Sequence, residues 1–158
     1  MGRYLEDALL TETTQLETLR QKIEDAEYEA GNQSDYLDRG NPNPAQIKQA
    51  QTQIDKMNSQ SQALKAELKE LIARIRTQQP QAIEEWVNLH IGILQKIIAE
   101  KPTDSMGPVR RNVARTTLQE WEKVRAGQQD YVGINWYYLK EYKVSVRKSG
   151  KSWWQFWK

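Results

Sequence analysis

The chain is predicted to be all-α: an antiparallel coiled-coil helical hairpin followed by a small helical C-terminal part with an aromatic, basic tail. Three features lead there. The first half carries two apolar seams with a coiled-coil repeat, and a later segment is apolar around much of a helix. The composition, with 38% apolar residues and a mean hydropathy of -0.86 over 158 residues, suits long helices that bury only a narrow stripe.

The first seam runs Leu5, Leu9, Glu12, Leu16, Leu19, Ile23, Ala26 and Ala30 in steps of four and three. The second runs Ile47, Ala50, Ile54, Met57, Ser61, Leu64, Leu68, Leu71 and Ile75. Apolar residues recurring every 3.5 positions stay in register only when two helices wind around each other. A short connection makes the antiparallel pairing of the two seams the simplest solution. The hairpin is therefore placed at residues 3–79. Gly31 is expected to cap the first helix, residues 31–43 to form the loop, and Asn43-Pro44 to start the second helix. The polar seam residues Glu12 and Ser61 are expected where the hairpin frays or other helices pack.

Charge supports the pairing. Residues 1–40 carry 4 basic and 10 acidic side chains, a net of -6, and residues 41–79 carry 6 and 3, a net of +3. Residues 108–158 carry 11 and 4, a net of +7, which leaves a basic surface for an acidic partner.

A helical C-terminal domain is expected over 80–148, with a Trp-rich basic tail at 149–158. Pro80 either opens a new helix or kinks a continuing one. At 100° per residue the apolar positions between Ile83 and Ile98 span roughly 200°, about twice what one-sided packing needs. Such a helix must be covered on two sides, by the rest of the chain or by a second copy. Ile83, Trp86, Val87, His90, Leu94 and Ile97 are its candidate core or oligomer interface. Pro108 then opens a further helix with Val109, Val113, Thr117, Trp121 and Val124 on one face, and Gly127 closes it. Residues 130–147 have both a helical face (Tyr131, Ile134, Tyr138, Tyr142) and β-prone composition. No turn signal splits them into a hairpin, so helix is the expectation.

Catalytic chemistry finds no support. The chain has no cysteine, hence no thiolate chemistry and no cysteine metal site. His90 is the single histidine, and its helical neighbours Trp86, Val87, Ile93 and Leu94 include neither a metal ligand nor an acid/base partner. The carboxylates fall on helical faces spaced for solvent and for i,i+4 pairing. Gly150-Lys151-Ser152 ends like a P-loop, but Ser145 stands where the first glycine belongs. No enzymatic activity, metal, cofactor or small-molecule substrate is expected.

The aromatic residues do stand out. Nine of the 14 lie beyond residue 130, and Trp with Arg dominates protein interfaces. Trp136, Tyr138, Tyr142, Lys151, Trp153, Trp154, Phe156, Trp157 and Lys158 are the candidate partner-binding residues. Arg110, Arg111, Arg115, Arg147 and Lys148 form a candidate basic surface, with Glu122 on the face of Arg111 and Arg115 as an internal counter-charge. The leading expectation is a scaffold, adaptor or structural subunit that contacts a protein, or a second copy of itself, through this region. One alternative is a peripheral membrane protein held by the Trp/Lys tail. Another, disfavoured by the acidic first helix, is a nucleic-acid-binding accessory protein. The opening residues MGRYLEDALL lack a signal peptide's apolar core, so a cytoplasmic location is expected.

Overall fold

The computed structural model describes residues 9–101, 104–140 and 142–144. Among them are four α-helices and no strand: α1 (Thr11–Arg39), α2 (Pro44–Gln78), α3 (Pro80–Ala99) and α4 (Gly107–Arg125). Helices α1 and α2 form the antiparallel hairpin, α3 packs on both, and α4 packs on α3.

The seams meet as expected for most of their length. Leu16, Leu19, Ile23, Ala26 and Ala30 are buried on α1, and Ala50, Ser61, Leu68 and Ile75 on α2. Ile47 departs from the expectation: it is 45% exposed near the turn. Leu5 lies outside the described residues. Large apolar groups concentrate at the base, where Leu68, Ile72 and Ile75 join α3 and α4 in one core. Toward the turn the buried seam positions are Ala26, Ala30, Ala50 and Ser61. The hairpin is thus a thin arm rooted in a compact base. Across it, Lys65 Nζ lies 2.8 Å from Glu27 Oε2, an ion pair of the sign that the charge asymmetry favours.

Gly31 does not end α1. The helix continues to Arg39, and the connection shrinks to residues 40–43. No residue between Gly31 and Arg39 forbids a helix, and Asp35–Arg39 adds an i,i+4 ion pair at 2.9 Å. The stop falls at Gly40, whose amide bonds the Tyr36 carbonyl at 2.8 Å. A Cβ there would lie 2.5 Å from that same oxygen. On the far side Asn43 opens α2 with a full capping box: its Oδ1 accepts from the Gln46 amide, and Gln46 Oε1 accepts from the Asn43 amide, both at 2.9 Å.

Pro80 starts a new helix. Steric conflict with its ring pushes Gln79 out of the α region, to φ -148° and ψ 68°, so a single residue separates α2 from α3. The wide apolar surface of α3 is covered within the chain, by α1, α2 and α4. Helix α4 ends at Gly127 (φ 80°) in a Schellman motif, with Gln128 N bonded to Lys123 O at 2.8 Å and Gly127 N to Val124 O at 3.1 Å. Arg76 of α2 reaches the same terminus and donates to the Val124 carbonyl at 3.0 Å.

The two glycines give opposite expectations. Gly31 is exposed in mid-helix with open space at its Cβ position. Gly31→Ala should raise stability by about 0.5–1 kcal/mol. Gly127→Ala, at positive φ, should lower it by roughly 1 kcal/mol. Urea unfolding of the two variants tests both signs.

The stretch expected to be a fifth helix is not one. The described residues of 130–144 run as a non-helical strap, with a turn at residues 136–138 and another at 140, where Tyr142 N bonds the Leu139 carbonyl at 3.0 Å. Asn135 organises the first turn: its carbonyl accepts from Leu139 N at 2.8 Å and its side chain from Tyr137 N at 3.2 Å. Several of the strap's backbone groups are taken by side chains of α1. Arg20 donates to the Val132 carbonyl at 3.1 Å, and Ile134 N donates to Glu24 at 3.1 Å. A helix would have closed those groups on themselves and taken these backbone partners away from Arg20 and Glu24.

Candidate functional site

The buried interior holds a polar cluster drawn from α1, α3, α4 and the strap. Helical spacing puts Glu17, Arg20 and Glu24 on one face of α1, beside the apolar seam. That face turns inward: Glu17 is 0% exposed, Arg20 2% and Glu24 8%. The expectation that the carboxylates lie on solvated faces therefore fails here. Burying charges is costly unless each is paired and hydrogen-bonded, and these are. Arg20 forks onto Glu17 at 2.8 Å and reaches Glu24 at 2.8 Å. Glu17 also accepts from Trp86 Nε1 at 2.9 Å, His90 Nε2 at 2.6 Å and Gln21 Nε2 at 2.9 Å.

His90 consequently has the acid/base partners that its own helix lacks. Glu17 comes from 73 residues away in sequence and Tyr142 from 52. Burial opposes ionisation of Glu17, but His90 and Arg20 outweigh it and hold the carboxyl well below its ordinary value. Burial also lowers the His90 pKa, against the pull of Glu17. An ionised Glu17 accepts, so His90 Nε2 carries the proton. The neutral ring then offers Nδ1 as acceptor to the Tyr142 hydroxyl, whose own ionisation burial pushes far up. The result is a directed relay, Tyr142 O–H to His90 to Glu17. Trp121 of α4 stacks on the His90 ring (centroids 4.0 Å apart, planes 10° apart) and meets Trp86 edge-on at 5.0 Å.

The relay is sealed. Glu17 and His90 are 0% exposed and Tyr142 is 1% exposed. Among the described residues no group of three or more His, Cys, Asp or Glu side chains is arranged to hold a metal ion. Chemically the cluster fixes the position of the strap on the helices. Nothing in the local sequence around Glu17 or His90 marks their pairing. The available hint was the i, i+3, i+7 spacing of Glu17, Arg20 and Glu24 alongside a buried seam.

The surface presents a different set. Ile83, Trp86, Val87, His90 and Leu94 are buried in the chain's own core, and Ile97 is half-buried. Tyr142, expected to contact a partner, is corrected to an interior residue, because its hydroxyl is needed by His90. Trp136 is 37% exposed, Tyr137 is 70% exposed and Tyr138 is half-buried. Lys151, Trp153, Trp154, Phe156, Trp157 and Lys158 lie outside the described residues, as do Arg147 and Lys148. The remaining arginines are tied to local acceptors rather than to Glu122. Arg110 donates to the Tyr138 carbonyl at 3.2 Å, Arg111 to the Glu100 carbonyl at 2.7 Å and Arg115 to Asn112 at 3.1 Å. Glu122 pairs instead with Arg125 at 2.8 Å.

Met106 and Val109, at the start of α4, are 38% and 40% exposed. Together with Trp136 and Tyr137 they put four large apolar side chains at the surface of the α4 start and the strap turn. A cleft of about 430 Å³ opens there, lined by Ile97, Glu100, Asp104, Met106, Arg110, Tyr137, Tyr138, Leu139 and Lys140. Among the described residues no helix is long and apolar enough to cross a membrane. Compared with protein-family models, curated proteins and solved structures, the chain matches none.

Proposed function

We propose that this chain is a non-catalytic scaffold or adaptor, a structural subunit of a larger protein assembly, that contacts its partner through the aromatic C-terminal region. The observation that carries the reading is the exposure of Met106, Val109, Trp136 and Tyr137 at the α4 start and the strap turn, where Met106 and Tyr137 line a cleft that also holds Arg110, Lys140, Glu100 and Asp104. Large aromatics beside basic groups are the residue types that anchor protein interfaces. The groups best equipped for acid/base chemistry are sealed inside, which favours a structural role for them. The hairpin arm, about 50 Å along α2 at 1.5 Å per residue, then sets the spacing between this surface and whatever lies at the turn.

Site-specific photo-crosslinking in the producing cells tests the reading. A photoreactive residue at Tyr137 should trap one discrete protein partner, and Trp136→Ala should remove that adduct. The same residue at Tyr28, on the arm and 60% exposed, should not give that adduct. Equal labelling from both sites, or labelling of lipid or nucleic acid alone from Tyr137, would defeat the proposal.

A further inference from the structure

The strap is held differently from the helices. It forms no helix or strand of its own, and its apolar anchors are Val132, Ile134, Leu139 and Tyr142. Its remaining attachments are polar; Arg110 of α4 holds the Tyr138 carbonyl, and four others converge on one cluster. Arg20 takes the Val132 carbonyl, Glu24 the Ile134 amide, His90 the Tyr142 hydroxyl, and Gln21 the Val144 carbonyl at 2.9 Å. A segment without a repeating backbone ladder opens at lower free energy than the helices it covers. Its main side-chain bond ends on a neutral histidine that has an ionised carboxylate on the other side.

We propose that the described residues of the strap, 130–140 and 142–144, form a proton-sensitive latch: mild acidification releases the strap from α1 and α3 while the helices stay assembled. The groups that face His90 set the direction. From α1 these are Glu17, Arg20 and, through Arg20, Glu24. The strap supplies Tyr142, α4 the Trp121 ring, and α2 adds Leu68, Ile72 and Ile75 to the surrounding core. In the closed form burial depresses the His90 pKa against the pull of Glu17, and opening the strap hydrates the ring and relieves that depression. A group depressed in the closed form favours closure fully above its open-form pKa, and that preference is lost as pH falls below it. The latch therefore loosens as pH falls through the range in which the hydrated ring takes up its proton. Glu17, also depressed, adds to the release only below 4.5. Glu24, raised by burial against the pull of Arg20, titrates in the opposite sense from 4.5 upward.

Hydrogen exchange of the full chain, corrected for the intrinsic pH dependence of exchange, reads the latch directly. Protection of the strap should fall several-fold between pH 7.5 and 5.5, as His90 takes up a proton in the open form that burial opposes in the closed form. Protection in α3 and the far-UV circular dichroism should hold over the same range. His90→Gln keeps a donor toward Glu17 but cannot titrate there, so the fall should vanish. Tyr142→Phe removes the strap's bond to His90 and should lower strap protection already at pH 7.5, with the fall on acidification retained. The latch is refuted by flat strap protection in the wild type, by α3 losing protection in step with the strap, or by an unchanged fall in His90→Gln. Should His90→Gln not fold, strap protection in Tyr142→Phe equal to wild type at pH 7.5 refutes it instead.

Discussion

Replacing Glu17 with alanine is expected to lower the stability of the chain by ~3–5 kcal/mol, the cost of removing one partner from a buried ion pair. The side chain accepts from Arg20, Trp86, His90 and Gln21 at 2.6–3.1 Å. Its removal leaves Arg20, 2% exposed, with Glu24 and a backbone carbonyl. It also strands the Trp86 and His90 ring donors where water does not reach. Against a typical total of about 5–15 kcal/mol, that loss takes the protein close to half-unfolded at the low end of the range. Equilibrium urea unfolding of Glu17→Ala and wild type measures it. A loss under about 1 kcal/mol would mean that water or Glu24 replaces the lost acceptor, and that the cluster does not anchor the core.

Trp121→Ala should be the next largest, again ~3–5 kcal/mol, by a different route. The indole is 0% exposed, stacked on His90 and edge-on to Trp86. Truncation opens a cavity at the one place where α4 meets the histidine relay, and the rings on either side belong to α3, a helix already held by α1 and α2. That limits how far the site can collapse, which is what makes a cavity expensive. Trp136→Ala, with a side chain already partly in water, should stay within about 0.5 kcal/mol of wild type. The contrast between these two tryptophans, read by thermal or urea unfolding, separates core aromatics from surface aromatics in a region where composition treats them alike.

How much of this was readable beforehand depends on the range of the signal. Most of both seams, the Asn43-Pro44 start and the close at Gly127 are legible locally, because each rests on residues within one or two helical turns; at Pro80 the sequence left a new helix and a kink both open. Gly31 misled. Glycine at a helix end and glycine in mid-helix look the same locally, and here the neighbouring residues tolerated continuation. The strap misled more. Tyr131, Ile134, Tyr138 and Tyr142 do fall on a helical period, but Arg20 and Glu24, more than 100 residues earlier, compete for the backbone groups a helix would need.

The same division runs through the candidate site. Local spacing determined the hairpin, its polarity and the two-sided apolar demand of α3, since a heptad stripe and a 200° arc follow from side-chain order alone. Which surfaces meet that demand was settled by the folded arrangement. Covering α3 from within the chain turned one charged face of α1 inward, and the buried charges then required partners that no neighbour in sequence offers. His90 found Glu17 and Tyr142 for that reason. A buried ion must be answered from whatever element lies against it, and sequence order does not say which element that is.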